Sequence, residues 1–436
     1  MARCAVSTLR VLTMWFISLM VLAVLAGGGV DAQANNVCPT FDDYYTMQNN
    51  TNCWYDLGAD YVAPEIIHLL GYPVETHRVV TRDGYILTIF RIPNDGHKNP
   101  HARKHPVYLQ HGLVATCNNF LALQKDSLAF VLWEAGYDVW LGNYRGTFYS
   151  EEHLNLTVRD QQFWDMSMDE VALIDLPAIF HTILSHSEEG SQIIYVGHSL
   201  GTTFALMYGS EFPEEARNVI KMFVLLCPAY TLTNMISPYK IFAPYGDWVV
   251  ETVMELRLQR IVSQSKELGR LINVPCMESP PLMRVCMQLY NLFYGAKADF
   301  GPEIIPVYFR QLPGGTSIKI LNHAADLVLG NFRKYNYPPH INFLKYGTKE
   351  APLFDVSKIQ VPTYIVYSTQ DWATPEADAR NLYRNLNEKA RHGIRKIDLP
   401  EFNHIDFVMG RHARQVVYDP LVRVINDAII PDDYGK

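Results

Sequence analysis

The most chemically suggestive stretch of the chain is Gly197-His198-Ser199-Leu200-Gly201, which follows an apolar run ending at Val196 and precedes Thr202 to Tyr208. Flanking glycines permit a tight strand-to-helix turn that lifts a serine hydroxyl clear of a sheet, with room for a helix beneath it. At the N-terminus of that helix, backbone N–H groups favour a developing oxyanion. A serine used as a nucleophile needs a base, and the base needs an orienting acid; on a strand-turn-helix scaffold of this kind the order along the chain is serine, acid, histidine. Asp371 lies in the polar loop Ser368-Thr369-Gln370-Asp371-Trp372 after the apolar run Thr363 to Tyr367, and His404 lies in Asn403-His404-Ile405-Asp406 near the C-terminus. His404 is therefore expected to take the proton of Ser199, with Asp371 fixing its tautomer. Two oxyanion donors are also required. The amide of Leu200 is one, and the amide of Leu113, in His111-Gly112-Leu113 after the run ending at Gln110, is the expected second.

The other histidines read differently. His181, His186, His392 and His412 sit in polar or helical surroundings expected to be solvated, while His323 and His340 have no strand before them. His198 reads as a packing and hydrogen-bonding residue of the turn, and Asp406 as a residue that fixes the histidine loop. His97, His101 and His105 are regularly spaced, but Asn99-Pro100 interrupts any helix that would put them on one face, and no Cys-x-x-Cys occurs. Neither a metal nor a cofactor is expected.

The elements that must position these residues follow from hydrophobic periodicity. His77 to Thr81 and Tyr85 to Ile92 flank Asp83-Gly84 and predict a hairpin at a sheet edge. Pro106–Gln110, Tyr137–Leu141, Gln192–Val196, Lys221–Leu226, Thr363–Tyr367 and Arg395–Leu399 read as strands, with helical spacing between several of them, as in Asp165–Leu184. Strands alternating with helices imply a mostly parallel sheet covered on both faces. The alternation stops between about Tyr230 and Asp355, a segment rich in Met, Leu, Tyr, Phe and Pro that reads as a helical cap or lid inserted into the core. Its Met235, Ile236, Trp248, Val249, Val250, Met254 and Leu256 are expected to pack as core. The division is then residues 1–32 a leader, 33–74 an N-terminal extension, 75–229 and 356–436 the two parts of the core, and 230–355 the cap.

With 436 residues, 48% hydrophobic and 19% charged, the chain can bury a large core, and a net charge of −8 without a basic run argues against nucleic acid as a partner. Arg3 and Arg10, the apolar stretch Val11–Ala26 and the exit Val30-Asp31-Ala32 match a cleavable secretory signal. That leaves six cysteines in a compartment that permits disulfides. Cys276 and Cys286 are the preferred pair, and Cys38 with Cys53 a further one, leaving Cys117 and Cys227 as buried thiols. Asn49 and Asn155 head acceptor sequons for glycosylation.

Taken together, these motifs resemble the animal acid lipase family, which includes gastric and lysosomal lipases. The resemblance rests on Gly71-Tyr72-Pro73, Thr81-Arg82-Asp83-Gly84-Tyr85-Ile86-Leu87, Gln110-His111-Gly112-Leu113, Gly136 to Asn143, Gly197-His198-Ser199 and Asn403 to Phe407, in order along nearly all of the mature chain. It implies an α/β-hydrolase fold with a cap and lid, and cofactor-free hydrolysis of acylglycerols or steryl esters at a lipid-water interface. It also implies a secreted or lysosomal location, Ser199, Asp371 and His404 as the triad, Leu113 and Leu200 as oxyanion donors, and a cap disulfide at Cys276 and Cys286. The chain departs from the family in two places. Leu200 stands where familiar members carry glutamine, a change the backbone donor survives. Tyr144 replaces a usual small residue and is expected to alter the acyl pocket.

Overall fold

The computed structural model describes residues 34–94, 105–255, 276–277 and 279–429. The leader, His97, His101 and Leu256 lie outside them, as does the side chain of Met254.

A nine-stranded sheet forms the centre, in the order β1-β2-β4-β3-β6-β7-β8-β9, with β5 paired to β2. The strands are β1 (Glu75–Val80), β2 (Tyr85–Ile92), β3 (Val107–Gln110), β4 (Val139–Leu141), β5 (Glu152–His153), β6 (Ile193–His198), β7 (Ile220–Leu226), β8 (Thr363–Ser368) and β9 (Arg391–Ile397). The β1–β2 hairpin, β5 and the β2–β4 pair are antiparallel; every pair from β4 to β9 is parallel. The hairpin lies at the sheet edge, where its turn is closed by Gly84 at φ 95° and by the Thr81 hydroxyl accepting from the Tyr85 amide at 2.9 Å.

Alternation along each strand feeds two cores. On β6, Ile193 and Tyr195 join one apolar cluster while Ile194 and Val196 join the other, and Tyr108 on β3 opposes Val107 and Leu109 in the same way. The first cluster takes in the helices Leu176–Ser185, Leu200–Glu211 and Glu376–Asn385, and the second takes in Leu128–Glu134 and Asp419–Ile429. Helix Leu200–Glu211 is buried on nearly every side, as a helix enclosed between sheet and helices must be.

Strand β9 begins at Arg391, four residues before the strand expected from the sequence. As an edge strand its side chains are mostly half-buried, so Arg391-His392-Gly393 carries no apolar alternation to mark it. Between β7 and β8 the described residues form helices, among them Gly246–Glu255, Pro280–Tyr294, Ile304–Gln311 and Ile318–Val328. Disulfides join Cys276 to Cys286 and Cys38 to Cys53, while Cys117 and Cys227 are buried free thiols.

The sequence motif around Asp83 has a packing reason. Arg145, 1% exposed, donates to Asp83 through Nη1 at 2.6 Å and to the fully buried Asp175 through Nε at 2.8 Å, tying the hairpin turn to the helical segment beneath it. Its guanidinium also lies 4.1 Å from the centre of the Tyr85 ring.

Candidate active site

The loops that follow β3, β6, β8 and β9 leave the same carboxyl edge of the parallel sheet, the usual place for a site in such a fold. Ser199, between β6 and helix Leu200–Glu211, adopts φ 54° and ψ −123°, a conformation an L residue holds only when its surroundings force it. The flanking glycines make room for it. A Cβ on Gly197 would lie 2.8 Å from the Gly201 backbone, and one on Gly201 would lie 2.3 Å from the Gln110 carbonyl oxygen.

His404 Nε2 is 2.8 Å from Ser199 Oγ, and His404 Nδ1 is 2.8 Å from Asp371 Oδ2. Asp371 and His404 are almost wholly buried, 2% and 3% exposed. The second carboxylate oxygen of Asp371, Oδ1, accepts from the amides of Ala373 and Thr374, each at 2.8 Å, and Oδ2 also accepts from the Thr374 hydroxyl at 2.7 Å. The carboxylate is thus held in one orientation, with Oδ2 aimed at the imidazole.

The loop His111-Gly112-Leu113 runs directly against the serine: a Cβ on Gly112 would lie 2.9 Å from Ser199 Cβ. Leu113 and Leu200 both line the cavity above Ser199. His111 is buried and its pKa is pushed down to about 4 by that burial, so it stays neutral and its Nδ1–H donates to the Gly112 carbonyl at 2.9 Å. Tyr144 is stacked on His111 with ring centres 4.8 Å apart and is absent from the cavity wall. This corrects the expectation that it reshapes the acyl pocket: its ring is engaged behind the loop, between His111 and Phe204.

His198 points away from Ser199 and donates from Nε2 to the His404 carbonyl at 3.0 Å, with burial holding its pKa down at about 3. Asp406 accepts from the Asn403 amide at 2.6 Å and so closes the histidine loop. Burial raises its pKa well above the ordinary carboxylate range. Among the described residues, His198, Cys227 and His404 bring potential metal-ligating atoms within 4.8 Å of one another. All three are committed elsewhere: both nitrogens of His404 have partners, His198 Nε2 holds the His404 carbonyl, and burial raises the pKa of Cys227, keeping its thiol protonated.

The remaining histidines lie apart from this group. His181, His186, His340, His392 and His412 are exposed, His412 pairing with Asp299, and His323 is buried against the Arg333 carbonyl at 2.7 Å. Two residues of the site have no counterpart in the sequence reading. Thr374 is marked only by its place three residues after an aspartate, a local pattern in which the carboxylate caps backbone amides. Tyr294, whose ring lies parallel to that of His404 at 5.7 Å, belongs to the inserted segment, and no local signal links it to the site.

The cavity has a volume of about 310 Å³ and opens between core and insert. Of the apolar residues expected to be core, Met235 is buried in it while also touching the cavity, but Val249 and Val250 line the cavity outside the core, and Ile236 and Trp248 are 62% and 65% exposed. For those four the expectation fails because a stripe facing a cavity or solvent has the same helical spacing as one facing a core.

Residues 63–124 match the family model described as a partial alpha/beta-hydrolase lipase region, and residues 105–409 match that of the alpha/beta hydrolase fold. Mouse lipase member K is 34% identical over 421 residues, covering 95% of this chain and 100% of that protein. The chain belongs to the α/β-hydrolase lipase family. Mouse gastric triacylglycerol lipase is 34% identical over 366 residues, and human lysosomal acid lipase/cholesteryl ester hydrolase is 33% identical over 368. Each alignment spans 83% of this lipase-family chain and 90% of the relative.

Proposed function

We propose that this chain is a serine hydrolase that cleaves carboxylic esters of lipids, acylglycerols or steryl esters, through an acyl-enzyme on Ser199. The observation that carries the reading is the continuous hydrogen-bonded path from Ser199 through His404 to Asp371, at 2.8 Å per step, at the floor of an apolar cavity.

In the first half-reaction Ser199 Oγ attacks the ester carbonyl carbon while His404 Nε2 takes its proton, and the tetrahedral oxyanion is held by the amides of Leu113 and Leu200. Asp371 stabilises the imidazolium. As the C–O bond to the alcohol breaks, His404 returns the proton to the departing oxygen and leaves the acyl group on Ser199. Water then attacks the acyl-enzyme with His404 again as base, releasing the fatty acid and restoring the serine. No step calls for a cofactor or metal. The alternative of a catalytically silent lipid carrier on the same fold is not favoured, because a carrier has no use for the strained serine, the oriented acid and the histidine between them.

Residues 230–355 act as a cap in this reading. Ile236, Ile241, Phe242, Tyr245 and Trp248 are exposed beside cavity-lining Tyr239 and Val249, which supports docking on a lipid surface. The relatives support a secreted or lysosomal location. Exposed Asn49 and Asn155 suit glycosylation, and no helix among the described residues is long and apolar enough to cross a membrane.

Release of p-nitrophenol from medium-chain esters by the purified chain, lost in Ser199→Ala, tests the hydrolytic reading; equal rates in both proteins would end it. For docking, the rate should rise when the substrate passes from monomers to micelles, and Trp248→Glu should reduce that rise while sparing the monomer rate.

A further inference from the structure

The wall of the cavity is divided by chemistry. Much of it is apolar, with Leu232, Met235, Ile318, Leu321, Leu327 and Val328 among the lining residues. On the side of His404 three tyrosines from three separate helices of the insert face the same space: Tyr239, Tyr294 and Tyr308.

Their rings gather into one cluster: Tyr239 and Tyr294 have ring centres 6.4 Å apart, and Tyr294 and Tyr308 both pack on Tyr290, at 4.9 and 5.4 Å. A phenol has one proton to donate and lone pairs to accept with. Three such phenols on one wall bring hydroxyl chemistry to a cavity whose other lining is largely apolar.

The position of Tyr294 decides which part of a substrate meets them. The Tyr294 ring lies parallel to the His404 imidazole, 5.7 Å away and inclined by only 6°. It is fixed there through the backbone: the Trp372 amide, next to Asp371, donates to the Tyr294 carbonyl at 3.1 Å, and a Cβ on Gly295 would lie 2.4 Å from the Gln370 carbonyl oxygen. His404 must hand its proton to the leaving alcohol, so that alcohol sits beside the imidazole. Tyr294 is on that side with the other two tyrosines grouped around it, and the apolar part of the wall is left to the acyl chain.

We infer that Tyr239, Tyr294 and Tyr308 form a hydrogen-bonding subsite for the alcohol portion of the ester, selecting alcohols that carry further oxygens beside the scissile bond, as glycerol does, over plain alkyl alcohols. The inference rests on the hydrolytic reading above and narrows its substrate class toward acylglycerols. A sterol, whose only oxygen is the ester oxygen itself, gives the tyrosines nothing to bind.

The test compares two esters of one acid, 1-decanoylglycerol and ethyl decanoate, with wild type, Tyr294→Phe, Tyr308→Phe and the double variant. Phenylalanine keeps each ring and removes only the hydroxyl. The ratio of kcat/KM for the glyceride to that for the ethyl ester should fall by about three- to tenfold in the double variant, with the pH profile for ethyl decanoate retained. An unchanged ratio overturns the subsite, and so does an equal fall on both esters, which would mean that the hydroxyls merely hold the insert in place. Failure of wild type to cleave either ester would bring down the hydrolytic reading and the subsite with it, whereas a flat ratio removes the subsite alone.

Discussion

Asp371→Asn separates orientation from fold. In the protein Oδ1 accepts two backbone amides, from Ala373 and Thr374, while Oδ2 faces the Thr374 hydroxyl and His404 Nδ1. An asparagine keeps those two amide bonds only if its carbonyl oxygen takes the Oδ1 position. Its NH2 group then points at His404 Nδ1 and donates to it. That places the imidazole proton on Nε2, so Nε2 donates to Ser199 Oγ and can no longer accept its proton. Thr374 Oγ1 turns to accept from the new amide, and every group stays paired. The expected result is a fall in kcat of about 10⁴-fold, or about 5.5 kcal/mol of transition-state stabilisation, with a melting temperature close to that of wild type. Steady-state hydrolysis of a p-nitrophenyl ester, with calorimetry on the same samples, gives both numbers. A variant within tenfold of wild type would refute the assignment of Asp371. A large drop in melting temperature would refute the argument that the amide can replace the carboxylate without disturbing the loop.

Three further outcomes follow from buried groups. Arg145→Met leaves the fully buried Asp175 carboxylate without its cation, and unfolding in urea should show a loss of about 3–5 kcal/mol; a loss under about 1 kcal/mol would mean that other groups satisfy it. His198 has a folded pKa near 3, below its unfolded value, so its contribution is present above that unfolded value and is lost as pH falls through it toward 3. His198→Gln should therefore gain about 2 kcal/mol on wild type between pH 7.5 and 5, and a pH-independent difference in urea unfolding would contradict the burial argument. Asp406 shifts the opposite way: its raised folded pKa favours the fold at low pH and loses that advantage as pH rises from the ordinary carboxylate range through the raised value, so Asp406→Asn should flatten that decline of stability, measured by thermal unfolding across pH.

The central sheet is legible in the sequence because its strands are buried on both faces or flank a turn with obligatory chemistry, as Asp83-Gly84 does. The meeting of Ser199, Asp371 and His404 is legible for a related reason. Each follows a strand whose carboxyl end the parallel topology brings to one edge, so order along the chain carries information about place. That reasoning stops where the sheet stops. The path from Tyr294 to His404 joins residues more than a hundred positions apart through the inserted helices, and aromatic residues there are equally compatible with a core. Trp248 and Ile236 show the same ambiguity from the other side: their spacing is that of a buried stripe, yet they face solvent. Tyr144 is conspicuous in the sequence only as a departure, and its stacking on His111 depends on a loop geometry that no local pattern encodes.

The account depends on a hydroxyl made nucleophilic by its neighbours, and covalent labelling reads that directly. Treatment of the purified chain with a fluorophosphonate, followed by peptide mass spectrometry, should place one adduct on Ser199, reduced by orders of magnitude in Asp371→Asn and abolished in His404→Ala. An adduct on another serine, or labelling of Ser199 undiminished by the loss of His404, would contradict it.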